Sequence, residues 1–93
     1  MNDDLKVEGE FRIASGLGLH ARPAGRFAAA AARFKCEISV GRSGEWVDAR
    51  SVLSLLSLAA GPGAVVRVRA VGSDAREAID ALGGMLEESV HDN

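Results

Sequence analysis

From Leu5 to Ile13 the chain alternates, with Leu5, Val7, Phe11 and Ile13 apolar and Lys6, Glu8, Glu10 and Arg12 charged. A period of two sends these sets to opposite faces of a strand, one against a core and one in water. Ser15-Gly16-Leu17-Gly18-Leu19 then reads as a flexible connection. Beyond it the period changes. Between Ala21 and about Phe34, the residues Ala24, Phe27, Ala28, Ala31 and Phe34 recur at helical spacing and predict a first helix. Cys36, Ile38 and Val40 alternate with Glu37 and Ser39, and Gly41-Arg42-Ser43-Gly44 makes a turn before a short strand from Glu45 to Ala49, so a hairpin is expected.

Ser51 to Ala60 is rich in leucine, opens on a serine whose hydroxyl can accept from exposed helix amides, and is closed by Gly61 and Pro62. It predicts a short second helix. Ala64 to Val71 alternates again, Val66 and Val68 against Arg67 and Arg69, as a fourth strand. A third helix opens at Asp74, with Glu77 placed for a capping box and Ala78, Ile79, Leu82, Met85 and Leu86 on one face. Gly83 and Gly84 should each cost about 1 kcal/mol relative to alanine, so fraying or a bend is expected there. The order βαββαβα, with charged outer strand faces, predicts an α+β fold: one antiparallel or mixed sheet covered by helices on a single side. At 93 residues, without repeats or linkers, residues 1–93 are expected to form one domain.

Composition narrows the function classes. With 47% hydrophobic and 26% charged residues the chain is neither disordered nor membrane-spanning in type. Eleven Lys and Arg against thirteen Asp and Glu give a formal charge of -2, which removes the attraction that nonspecific nucleic-acid binders use. The start Met1-Asn2-Asp3-Asp4-Leu5-Lys6 lacks the basic and apolar regions of a signal peptide, and no apolar run approaches the ~20 residues needed to cross a bilayer. A cytoplasmic protein without membrane insertion is expected. The lone Cys36 cannot form an intrachain disulfide or a multi-cysteine zinc site, and reads as a buried, inert thiol.

The chemistry concentrates in Gly16-Leu17-Gly18-Leu19-His20-Ala21-Arg22-Pro23-Ala24, where a glycine-bearing loop delivers a histidine to a helix start. Pro23 marks that start, because amides of the first turn have no intrahelical partner and a proline there loses nothing. An imidazole at or beside the N-cap lies next to free N–H groups and the positive end of the helix dipole. That setting favours the neutral, nucleophilic ring, and the amides of Ala21 and Arg22 could hold phosphoryl oxygens. Arg22 adds a planar, permanently charged donor, and Arg26 one turn later extends the positive patch. A capping histidine with solvated arginines fits the residue chemistry equally well.

Two other chemistries fit less well. Gly16-x-Gly18-x-x-Ala21, with Glu37 further on, matches a loose dinucleotide-binding fingerprint, but Glu37 begins the next strand instead of ending it and a hairpin interrupts the βαβ succession. A hydrolase on His20 lacks a neighbouring carboxylate or nucleophile. His91 reads as solvated, and Trp46 as packing on an edge strand.

Gly18-Leu19-His20-Ala21-Arg22-Pro23-Ala24 resembles the active-site signature of the HPr family, phosphocarriers of the bacterial phosphoenolpyruvate-dependent sugar phosphotransferase system. Arg50-Ser51-Val52-Leu53-Ser54-Leu55-Leu56-Ser57-Leu58 resembles that family's regulatory-serine segment at the matching separation. The resemblance spans essentially the whole chain. It implies an open-faced β-sandwich, with three helices on one face of a four-stranded antiparallel sheet. By the same resemblance, enzyme I phosphorylates His20 on Nδ1, Arg22 assists, and the group passes to a IIA component. The chain would then be a stoichiometric carrier, a monomer needing no metal or cofactor, and not an enzyme. Ser51 would be the target of a dedicated HPr kinase/phosphorylase in some bacteria, or simply a helix N-cap, and Val52, Leu53 and Leu56 would form the partner-docking patch. A carrier of the parallel nitrogen-related chain and a noncatalytic regulatory module share this pattern. Ala59-Ala60 and Gly83-Gly84 depart from it and bear on helix stability.

Overall fold

The first alternation becomes strand β1, Lys6–Arg12, in a computed structural model that describes residues 5–87. The expected order follows: helix α1 at Ala21–Ala31, strands β2 at Glu37–Arg42 and β3 at Glu45–Asp48, helix α2 at Val52–Ser57, strand β4 at Val65–Val71 and helix α3 at Ala75–Glu87. The four strands form one fully antiparallel sheet in the order β1-β4-β2-β3. β4 lies between β1 and β2 and is antiparallel to both, so the adjacent parallel strand pair that the dinucleotide alternative needs is not formed by β1, α1 and β2. His91 and the residues Met1–Asp4 lie outside the described residues.

The two-period of the strands sorts the sheet's faces. Ile38 and Val40 of β2 and Val66, Val68 and Ala70 of β4 are buried against Ala24, Phe27 and Ala28 of α1, Leu55 of α2 and Ala78, Ile79 and Leu82 of α3. The opposite face is open and charged. Glu8 accepts from Arg67 Nη2 at 3.0 Å and from Arg69 Nε at 2.9 Å, and Arg69 foremost holds the Glu8 carboxyl below its ordinary value. Arg69 also stacks over Trp46, its guanidinium carbon 3.8 Å from the ring centroid. The Trp46 ring lies across Gly41, where a Cβ would come within 2.7 Å of it, so this edge-strand tryptophan packs as expected.

The element ends depart from the pattern for local reasons. Helix α1 stops at Ala31, not near Phe34, and the following turn tucks Phe34 partly into the core. The hairpin turn is shorter than the glycine spacing suggests: Ser43 and Gly44 alone make it, both at positive φ, with Arg42 and Glu45 paired across it. Helix α2 ends at Ser57 instead of Ala60, because Ala59 reverses the chain at φ +52°. Helix α3 passes through Gly83 and Gly84 unbroken. A Cβ at Gly83 would run into the ring of Phe11, so this glycine makes room for β1 to lie close against α3.

The capping box at Asp74 does not form in the expected way. Both carboxylate oxygens reach back to the connection just before β2, accepting from the amides of Lys35 at 2.8 Å and Cys36 at 2.9 Å. The Lys35 amide foremost, then Cys36, holds the Asp74 carboxyl below its ordinary value. Burial, and next the Asp74 carboxylate, pushes the Cys36 thiol up to about 11, which agrees with an inert sulfur. A carboxyl depressed on folding stabilises the fold above its unfolded pKa and loses that contribution as pH falls through its folded value. Melting temperature should therefore drop as pH is lowered from about 5 to about 2, and less steeply in Asp74→Asn than in the parent. Parallel acid profiles of the two proteins would show that this clasp contributes nothing.

Candidate functional site

Buried Ser15 begins the loop that carries the histidine: its Oγ accepts from the Leu17 amide at 3.3 Å and its carbonyl from the Gly18 amide at 3.0 Å. Gly18 then turns at φ +75° in contact with the segment after α2. A Cβ there would lie 2.5 Å from the Ala60 carbonyl oxygen and 2.7 Å from Gly61 Cα, an approach that glycine alone permits. Next door, the Leu19 amide donates to the Ala60 carbonyl at 2.8 Å. The loop is thus fastened just before His20.

His20 is the N-cap of α1, with extended backbone and its carbonyl accepting from the Ala24 amide at 2.9 Å. Its side chain makes no capping hydrogen bond, so the imidazole is not occupied in holding the helix. Nε2 is buried and has no partner among the described residues, and the ring makes no capping hydrogen bond through either nitrogen. Ala21 and Arg22 are exposed, and as first-turn residues their amides have no intrahelical acceptor. Pro23 sits in that turn without an amide to satisfy. Arg22 carries no hydrogen bond or ion pair among the described residues, so its guanidinium is available to an anion. Arg26 is exposed on the same helix. An imidazole that caps nothing, first-turn amides without intrahelical acceptors and an unpaired guanidinium therefore belong to one helix end. Among the described residues no group of three His, Cys, Asp or Glu side chains is placed to hold a metal ion.

Helix α2 packs against α1 and brings the second sequence segment to the same side. Ser51 is its N-cap, and Ser51 Oγ accepts from the Ser54 amide at 3.2 Å. Of the apolar residues singled out in the sequence, Leu53 is 81% exposed, Val52 36%, and Leu56 is packed partly into the core. Leu53 is thus the prominent member of that patch. Leu17, three residues before His20, is 66% exposed, although in the sequence it looks like ordinary loop filling between two glycines. The signal that could have found it is a large apolar residue in a connection too short to bury it.

A family model described as the PTS HPr component phosphorylation site matches residues 7–88. Phosphocarrier protein HPr of Pseudomonas putida is 42% identical over 74 residues, covering 78% of this chain and 82% of that protein. HPr-like protein Crh of Halalkalibacterium halodurans is 38% identical over 82 residues, covering 88% and 98%. The crystal structure of HPr-C-His from Thermoanaerobacter tengcongensis superposes with a TM-score of 0.87 at 36% identity, over 94% of this chain and 98% of that one. Given the antiparallel open-faced fold, a free imidazole at the head of α1 and a family match across nearly the whole length, this chain belongs to the HPr phosphocarrier family.

Proposed function

We propose that the chain accepts a phosphoryl group from enzyme I on His20 Nδ1 and passes it to a IIA component. The observation that carries this reading is the unengaged imidazole: an N-cap residue whose side chain caps nothing and whose buried Nε2 has no partner among the described residues, set at a helix start with free amides. The Nδ1 lone pair attacks phosphorus as the bond from phosphorus to the donor breaks, and Nε2 keeps the ring's proton. The amides of Ala21 and Arg22 and the Arg22 guanidinium receive the phosphoryl oxygens, whose negative charge the helix start favours. Transfer onward reverses these steps on an acceptor docked over Leu53 and Val52. In this reading the monomer is the carrying unit, in the cytoplasm, and one folded domain suffices because donor and acceptor supply the remaining chemistry.

Incubation with enzyme I, magnesium and phosphoenolpyruvate should add one acid-labile, base-stable phosphoryl group per chain. A chain left unlabelled by an active donor would reject the carrier reading. Faster labelling by a nitrogen-chain donor than by the sugar-chain donor would assign the parallel chain instead. The similarity to a protein named HPr-like protein Crh favours a second reading, a noncatalytic module of the same fold that regulates through docking. That module would bind its partner with His20 never phosphorylated.

A further inference from the structure

The segment after α2 is held in a conformation it would not adopt alone. Leu58 is the C-cap, and Ala59 follows at φ +52°, a left-handed backbone that residues with a Cβ rarely take. Glycine is the usual occupant at this position after a helix. The turn persists because its neighbours over-determine it. Locally, the amides of Leu58 and Ala59 donate to the carbonyls of Leu55 and Leu56 at 3.2 and 3.1 Å. From outside come two further bonds: Arg42 Nη1 donates to the Leu58 carbonyl at 2.9 Å, and the Leu19 amide to the Ala60 carbonyl at 2.8 Å. Helix α2 has no basic residue in its last turn, so Arg42, at the end of β2, supplies the cation its C-terminus would otherwise lack.

We propose that Arg42 is a positioning residue for His20: by anchoring the Leu58 carbonyl it keeps the Ala59 turn strained, and so keeps the Ala60 carbonyl against the Leu19 amide. Without that anchor Ala59 relaxes out of the left-handed region, and a change of φ and ψ at one residue swings the next carbonyl away from Leu19. The loop Ser15–Leu19 then loses its tie immediately before the N-cap. Docking through Val52 and Leu53 is spared, because these two residues stand at the other end of α2, where Ser51 Oγ holds the first turn. The geometric part of the proposal stands on its own. Its effect on transfer rests on the carrier reading.

The test is made on the full chain with Arg42→Met, which keeps the apolar stem and removes the donor, and with Arg42→Lys, which keeps a cation of similar reach. Amide hydrogen exchange at Leu19 and steady-state phosphorylation by enzyme I are the two readouts. Arg42→Met should exchange Leu19 on the order of tenfold faster, the factor expected from losing a charge-assisted hydrogen bond. Its kcat should fall by a similar factor with KM for the carrier unchanged, and Arg42→Lys should stay within about threefold of the parent. Ala59→Gly, which removes the opposing strain, should restore both readouts to Arg42→Met. A Leu19 amide as protected in Arg42→Met as in the parent overturns the proposal. So does a defect confined to KM, which would make Arg42 a docking residue, or a failure of Ala59→Gly to rescue. If the parent is not phosphorylated at all, the carrier reading fails, whereas Leu19 exchange still decides whether Arg42 holds the loop.

Discussion

His20→Ala should abolish phosphorylation by enzyme I while leaving the fold within about 1 kcal/mol of the parent. Both halves of that expectation follow from the same geometry. The imidazole makes no hydrogen bond to its helix, and its buried Nε2 has no partner among the described residues, so removal takes away a poorly satisfied polar group and no cap. The N-cap backbone stays, since the His20 carbonyl still accepts from Ala24 and the loop is still tied at Leu19. What is lost is the nucleophile. Arg22 and the amides of Ala21 and Arg22 can hold phosphoryl oxygens but cannot attack phosphorus. Thermal unfolding of the variant checks the first half, and transfer of label from phosphoenolpyruvate checks the second. Full labelling of His20→Ala under the parent's conditions would refute the assignment; His20→Ala/His91→Ala would then show whether His91 had taken the group.

Much of this site was legible because its logic is local. Pro23 in the first turn, two glycines before a histidine and an arginine two residues after it all belong to one loop and one helix end, and the proline, the glycines and the helical spacing beyond them put them there. Sheet faces were legible for the same reason: alternation at Val66 and Val68 against Arg67 and Arg69 records burial residue by residue. Long-range partners left no such record. Asp74 has the sequence signature of a helix cap, yet its carboxylate serves the amides of Lys35 and Cys36, nearly forty positions earlier. Gly83 looks like a helix defect until Phe11 is seen lying on it, and Ala59 reads as one more helical alanine although it turns the chain back. In each case the local preference is outweighed by a contact between elements, which no window of neighbouring residues contains.

Ser51→Asp should slow phosphorylation of His20 on the order of tenfold or more, through a raised KM for the carrier, with the circular dichroism and melting temperature nearly unchanged. Ser51 caps α2 by accepting from the Ser54 amide, and aspartate is as good an N-cap as serine, so the helix has no reason to unwind. The added charge does stand beside Val52 and Leu53, the exposed apolar residues of the same first turn. A partner that buries Leu53 must strip water from a neighbouring carboxylate or meet it with a like charge, and either penalty is felt in the complex and not in the free carrier. A phosphate, with about -1.5 to -2 charge, should act in the same direction and more strongly. Ser51→Ala gives the opposite pattern: it loses the cap, on the order of 1 kcal/mol of stability, and still accepts phosphoryl groups at close to the parent's rate. The pair of variants therefore separates two roles that one residue can combine. Equal rates for Ser51→Asp and the parent across a range of carrier concentrations would leave Ser51 as an N-cap alone and move the docking surface elsewhere, with Leu17 the first residue to test.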